Sequence, residues 1–208
     1  MCLRGIGRLL LKMVIAMDKL NLLIGKSASG KSTIATILEQ RYGCKQVESF
    51  TTRVPRYDNE HGHIFVSPED FDKLGDLAAF TVYNGHRYGV TYEQLNQCDV
   101  YVIDIPGVAS LLKNLHGTRP ICIIYFDAAV STRINRMVDR GASDHEIISR
   151  LLVDDTTEDW YHALDKLVWH YKNIEQQDVE LYKVDANENI ENVLKQVLYY
   201  MNKNDERE

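Results

Sequence analysis

The octet Gly25-Lys-Ser-Ala-Ser-Gly-Lys-Ser32 constrains this chain more than any other feature, because it satisfies GxxxxGK[ST]. It follows the apolar run Leu20–Ile24 and opens a stretch, Lys31 to Tyr42, whose Ile34, Ile37 and Leu38 recur on one helical face, with Gly43 at its end. Strand, glycine-rich turn and helix in that order make the setting of a P-loop. There the glycines let backbone N–H groups wrap a polyphosphate, and the helix N-terminus adds partial positive charge. Gly25, Lys26, Ser27, Ala28, Ser29, Gly30, Lys31, Ser32 and Thr33 are therefore the expected binding residues for a nucleoside triphosphate. Lys31 is expected to reach the terminal phosphates, and Ser32 to hold Mg²⁺ through its hydroxyl.

Further apolar runs lie at Asp99–Asp104, Pro120–Phe126 and, more weakly, Val179–Val184, with helical patterns between them. This alternation predicts βαβ units around a parallel sheet. Between Phe50 and Tyr92 the texture changes. Ile64–Val66 is strand-like, and Ser67-Pro-Glu-Asp70 carries an N-cap serine with proline at the first helical position. Phe80–Tyr88 holds Asn84-Gly85 between alternating residues, a strong hairpin signal. The expected fold class is α/β: a P-loop core with a parallel sheet flanked by helices. It spans residues 17–208 as one domain, with the core from 17–49 and 98–208, a small mixed lobe inserted at 50–97 and a helical lid at about 131–150. Asn187–Lys203 reads as an amphipathic helix.

Composition narrows the function classes. With 208 residues, 45% hydrophobic and 26% charged, the chain has the make-up of an ordinary soluble protein. Its net charge of -6 lacks the basic footprint of a nucleic-acid binder, so any anion site must be local. Cys2, Cys44, Cys98 and Cys122 show no CxxC spacing, which argues against a zinc site or disulfide framework and fits a reducing cytoplasm. The first 16 residues, MCLRGIGRLLLKMVIA, are interrupted by Arg4, Arg8 and Lys12, too short and charged to cross a bilayer. They read as a disordered or upstream-start extension without a catalytic role, with a surface-lying amphipathic helix as the alternative; no membrane partner is expected. Nothing in the sequence specifies an oligomeric state.

A triphosphate site does not name a reaction. Asp104-Ile-Pro-Gly107 and Asn202-Lys-Asn-Asp205 mimic the DxxG and NKxD of GTPases. The second follows the last amphipathic helix, whereas a base-reading NKxD belongs after a buried strand at the ligand edge of the sheet. The arginines say more. Phosphoryl transfer needs a held donor, an in-line acceptor and neutralisation of developing charge. Ser49-Phe-Thr-Thr-Arg-Val-Pro-Arg-Tyr57 supplies Arg53 and Arg56, whose planar forks suit a second phosphate. Arg136, Arg140 and Arg150 lie on a helical stretch broken by Gly141-Ala-Ser-Asp144, the pattern of a lid.

From about Leu20 to Leu151 the motifs GKSASGKST, SFTTRVPR, FVSPEDF, YNGHRYGV, VIDIPG and RMVDRGASDHEIISRL follow one another in an order that resembles the guanylate kinases. That family transfers a phosphate from ATP to GMP. The resemblance implies that Arg53 and Arg56, assisted by Tyr88, bind the acceptor phosphate, and that Ser49 faces the guanine edge. It places Asp104 beside the acceptor and the Mg²⁺ water shell. Lys31, Arg136, Arg140 and Arg150 would be catalytic, neutralising charge on the transferred phosphate. The implied activity is a GMP or dGMP kinase using ATP and Mg²⁺. The alternatives are a kinase for another (deoxy)nucleotide or small phosphorylated acceptor, and a non-catalytic interaction module.

Three positions depart from the family pattern. The segment between Arg56 and Phe65 is about two residues shorter, bringing His63 near the place of a phosphate-binding tyrosine, with Tyr57 a possible substitute. The glutamate that accepts hydrogen bonds from guanine falls at Ala79. Asp104-Ile-Pro-Gly107 lacks a second acidic residue before its glycine. Loss of a buried acceptor should strongly relax base selectivity.

Overall fold

Leu20–Ile24 form strand β1, buried at every position, which explains a run without polar alternation: helices cover both of its faces. In the computed structural model the described residues are 19–56, 58–155 and 159–203. The N-terminal extension, Tyr57 and the Asn204-Asp205 end of the NKND run lie outside them.

After β1 come α1 (Lys31–Ile37), β2 (Ser49–Thr51), β3 (His63–Phe65), α2 (Pro68–Phe71), β4 (Leu77–Tyr83), β5 (His86–Thr91) and α3 (Tyr92–Asn96). The chain continues through β6 (Val100–Val102), α4 (Ile105–Leu115), β7 (Ile121–Asp127), α5 (Val130–Asp139) and α6 (Asp144–Asp155). It ends with α7 (Trp160–Asn173), β8 (Val179–Asp185) and α8 (Ile190–Met201). The helix expected over Lys31–Tyr42 is α-helical only to Ile37. Leu38–Tyr42 widen into a π-helical turn that Gly43 ends at φ 74°.

Two sheets organise these elements. The core sheet is fully parallel, in the order β6-β1-β7-β8. Alternation along β1 divides the core: Leu20, Leu22 and Ile24 join one apolar cluster and Leu23 joins the other, with Ile34, Leu38, Val197 and Phe126. At the sheet edge Gln46 pairs in parallel with Val100, and the Val47 N–H donates to the Val100 carbonyl at 2.8 Å. This short pairing delivers the chain into β2 of the second sheet.

The second sheet is mixed, in the order β3-β2-β5-β4. Asn84 at φ 48° and Gly85 at φ 76° close the β4–β5 hairpin; both central residues are left-handed, as a two-residue turn matched to strand twist requires. Ala78, Ala79, Val90 and Leu95 are buried in the same cluster as Leu22, Val108 and Leu111. Polar ties reinforce the junction: Asn114 Nδ2 donates to the Leu77 and Ala78 carbonyls, and the Phe80 N–H donates to Ser110 Oγ at 3.0 Å. The inserted sheet thus leans on α4, and its hairpin is held beside the glycine-rich loop.

Candidate functional site

The loop between β1 and α1 is shaped by its backbone. Gly25 sits at φ 155°, and a Cβ there would lie 2.8 Å from the Phe126 carbonyl oxygen and 2.9 Å from Ser29 Oγ. Ala28 adopts φ 60°, a left-handed conformation costly for a residue with a side chain. Lys31 folds back across the loop, its Nζ donating to the Gly25 and Lys26 carbonyls and to Ser29 Oγ. Burial pushes the Lys31 ammonium down to about 8; Asp154 opposes this, while Arg133 and Arg140 add to it. Ser32 and Thr33 are exposed on the first turn of α1.

Arg136 braces this loop from α5. Its Nη1 donates to the Ser29 carbonyl at 3.0 Å and its Nη2 to the Ala186 carbonyl at 2.7 Å. The side chain thus ties the glycine loop to the turn after β8. Arg140 is exposed where α5 ends, and Gly141 at φ 75° makes the break before α6. Arg150 projects from α6 into the region between loop and hairpin.

Two cavities meet at Arg56 and Arg150, which line both. The smaller, about 130 Å³, brings Arg53, Arg56 and Tyr88 from the inserted sheet together with Ser27, Tyr83 and Arg150. The larger, about 1000 Å³, includes Ser32, Thr33, Glu60, His63 and Arg140 in its wall. The arginines of SFTTRVPRY therefore stand with Arg150 of α6 beside the glycine loop.

Arg53 and Arg56 differ in their commitments. Arg53 is nearly buried and forms a two-pronged pair with Glu60, Nη2 to Oε1 at 2.8 Å and Nη1 to Oε2 at 3.1 Å. Its ring-facing side lies 5.3 Å from the Phe65 centroid. Glu60 also accepts the Arg56 N–H at 2.8 Å, shaping the turn between the arginines. The Arg56 guanidinium stays half exposed. It is held below its ordinary value by desolvation and then by Arg53 and Arg150, the electrostatic mark of a place that favours an anion.

The remaining candidates are distributed. Ser49 is buried with its Oγ 2.9 Å from His63 Nδ1, and the Tyr88 ring meets His63 edge-on at 5.6 Å. Burial, then Arg53, drives His63 down to about 4, so it is neutral at neutral pH. Asp104 lines neither cavity; it caps α4 through the Gly107 N–H at 2.8 Å and accepts from Thr81 Oγ1 at 2.9 Å. Burial raises the Asp104 carboxyl. Ala79 is 1% exposed, pairs with Val90 and lies in the apolar core.

Sequence reasoning missed Glu60, Tyr83 and Asp154, and left Arg133 without a role. Glu60 had a local signal, four residues beyond Arg56, but the partner that gives it meaning is Arg53. Arg133 and Asp154 had none: their ion pair joins two helices 21 residues apart in sequence.

Among the described residues no group of three or more His, Cys, Asp or Glu gathers as a metal site, and no helix is long and apolar enough to cross a membrane. The exposed Ser32 hydroxyl beside the larger cavity fits a magnesium ion that arrives with a triphosphate and keeps most of its waters.

No protein-family model matches the chain. Among curated proteins it is similar to a guanylate kinase of Fusobacterium nucleatum, 24% identical over 185 residues that cover 83% of this chain and 98% of that protein. Among solved structures it is similar to the guanylate kinase from Anaplasma phagocytophilum, at 16% identity and TM-score 0.49, covering 88% of this chain and 83% of that one. It is also similar to an unliganded sugar kinase from Janibacter sp., at 14% identity and TM-score 0.45, covering 88% and 94%.

Proposed function

We propose that the chain is an ATP-dependent phosphotransferase whose acceptor already carries a phosphate, with GMP or dGMP as the favoured acceptor. One observation carries this reading: Arg53, Arg56, Arg150 and Tyr88 surround a cavity of about 130 Å³ that Ser27 of the glycine loop also lines. An anion held there would lie next to the loop that cradles the donor, the arrangement that in-line transfer between two phosphates needs. The 24% identity to a guanylate kinase across 98% of that protein supports the reading.

In this mechanism the glycine-loop N–H groups and Lys31 hold the donor phosphates, and Ser32 would hold Mg²⁺, which screens their charge when bound. Arg56 and Tyr88 orient the acceptor phosphate, with Arg53 anchored by Glu60 as the wall behind them. Arg150, shared by both cavities, offsets charge developing on the transferred group. An ionised phosphate oxygen of the acceptor is the nucleophile, so no general base is required. The lid and hairpin exclude water from the exchange.

A second acceptor class is favoured by one position. Ala79, where the family resemblance expects a guanine-reading glutamate, lies in the apolar core and gives a base no carboxylate to pair with. The proposed site thus accepts other (deoxy)nucleoside monophosphates or small phosphorylated molecules more readily than a guanine-selective site would. Coupled ADP release with GMP, dGMP, AMP, CMP, UMP and a panel of sugar phosphates tests both readings. Turnover confined to GMP and dGMP supports guanine selectivity; comparable turnover of several acceptors supports the wider class. No turnover with any acceptor, despite ATP binding, overturns the kinase reading.

Two further outcomes follow from the site. Arg56→Ala should raise the acceptor KM roughly 10- to 150-fold, the equivalent of one charge-assisted hydrogen-bonded contact, with ATP affinity nearly unchanged. Equal weakening of both substrates would contradict the assignment. ATP affinity should also fall as pH rises through about 8, because Lys31 is cationic only below that value in the free protein. Above it the loss approaches about tenfold per pH unit, since binding must first return a proton to Lys31. Calorimetry in buffers of different ionisation heat should show proton uptake on binding near pH 8.5 (about half a unit above the Lys31 value); its absence would place the charge elsewhere.

A further inference from the structure

The Asp154 carboxylate, at the end of α6, is in contact with three other parts of the site. Its Oδ2 accepts from Arg133 Nη1 at 2.7 Å and from the Ser27 N–H at 2.8 Å. Its Oδ1 accepts from Ser27 Oγ at 3.3 Å and from the Tyr83 hydroxyl at 3.4 Å, while its main-chain carbonyl accepts from Trp160 Nε1. Arg133 and Asp154 are each 1% exposed. Ser27 belongs to the glycine loop, Tyr83 to the acceptor-side hairpin, Arg133 to α5 and Asp154 to α6. Arg150, one turn before Asp154 on α6, lines both cavities.

We propose that Asp154 is a positioning residue for phosphoryl transfer, fastening the glycine loop, the hairpin and both lid helices in the one arrangement that directs Arg150 at the phosphates. A counter-ion for Arg133 would need only Oδ2 and a guanidinium. Here both oxygens are used, and one holds a loop amide 127 residues away. That bond consumes the Ser27 N–H itself but fixes the loop backbone before any ligand arrives, so the neighbouring loop N–H groups are held in a set direction, the preorganisation that electrostatic catalysis draws on. A dry carboxylate with four donors has little freedom to shift, so a displacement of α6 is transmitted to Ser27. Lys31 also feels this charge, which counters the desolvation of its ammonium in the loop.

This inference rests on the kinase reading, and its test separates the two. Asp154→Ala alone would strand a buried guanidinium and risk unfolding, so the informative variant is Arg133→Met combined with Asp154→Leu. Replacing a buried pair by apolar residues of similar volume is commonly neutral or stabilising, so a purely structural pair predicts wild-type rates in a folded protein. Positioning predicts a fall in kcat of about 100-fold with both KM values changed less than about threefold. It also predicts that the Ser27 amide exchanges hydrogen at least about tenfold faster in the ligand-free protein.

Asp154→Glu supplies the second variant. It keeps the charge for Arg133 but moves the oxygens by one methylene, and it should lose kcat to a similar degree. Wild-type kcat in Asp154→Glu, or unchanged kcat and unchanged Ser27 exchange in a folded double variant, would overturn the proposal. If the wild-type protein transfers phosphate to no acceptor, the kinase reading falls, and the exchange of the Ser27 amide still decides whether Asp154 sets the loop.

Discussion

Glu60→Ala is expected to lower the melting temperature by about 6–20 °C. Removing one partner of a buried ion pair costs about 3–5 kcal/mol, and 1 kcal/mol shifts Tm by about 2–4 °C in a domain of this size. The argument rests on Arg53 and Glu60, whose side chains are 9% and 6% exposed and share two hydrogen bonds. Without Glu60 the Arg53 guanidinium keeps its desolvation and loses its counter-charge. The Arg56 N–H loses its acceptor at the same time. Glu60→Gln, which can still accept from that N–H, should fall between the wild type and alanine. Millimolar inorganic phosphate should restore much of the stability of Glu60→Ala, because the anion can take the vacated place beside Arg53. A Glu60→Ala protein that melts with the wild type would show that the pair does not anchor the turn.

Lys31→Met is expected to lower kcat by about 100- to 1000-fold, the usual loss when one preorganised donor to a developing charge is removed. The acceptor KM should stay within about twofold, because Lys31 lines neither of the cavities that Arg56 and Arg150 line. Stability should change little, since methionine removes a desolvated ammonium but also its hydrogen bonds to the Gly25 and Lys26 carbonyls and Ser29 Oγ. A near-normal kcat in Lys31→Met would remove the glycine loop from the chemistry. A large change in acceptor KM would mean that the two phosphate sites are not separate.

The legible parts of this molecule are contiguous in the chain. GKSASGKST, the apolar run before it and the amphipathic run after it make strand, loop and helix by local rules. The Asn84-Gly85 turn and the Ser67-Pro68 cap work in the same way, through φ > 0 and an N-cap hydroxyl. The two arginines of SFTTRVPRY stand out because hydroxyls and a proline surround them. Long-range partners have no such signal. Glu60 is unremarkable until Arg53 folds onto it, and Asp154 reads as one more acid on a helix until Ser27 and Arg133 are beside it. The arginine roles also divided on folding: Arg136 is engaged with the Ser29 and Ala186 carbonyls, while Arg56 and Arg150 line both cavities.

Local periodicity and turn chemistry act over a few residues, so the parallel α/β core, the glycine-rich loop and the two arginine groups can be read from the chain alone. Charge pairing acts through space, across 21 residues for Arg133 with Asp154 and 127 for Asp154 with Ser27. Folding decides that Arg53 is neutralised by Glu60, that Arg56 keeps a half-exposed guanidinium in the same cavity wall, and that Asp154 holds the loop. Ala79 marks the same division: its type is plain in the sequence, but its burial against Val90 in the apolar core exists only once β4 and β5 pack on α4.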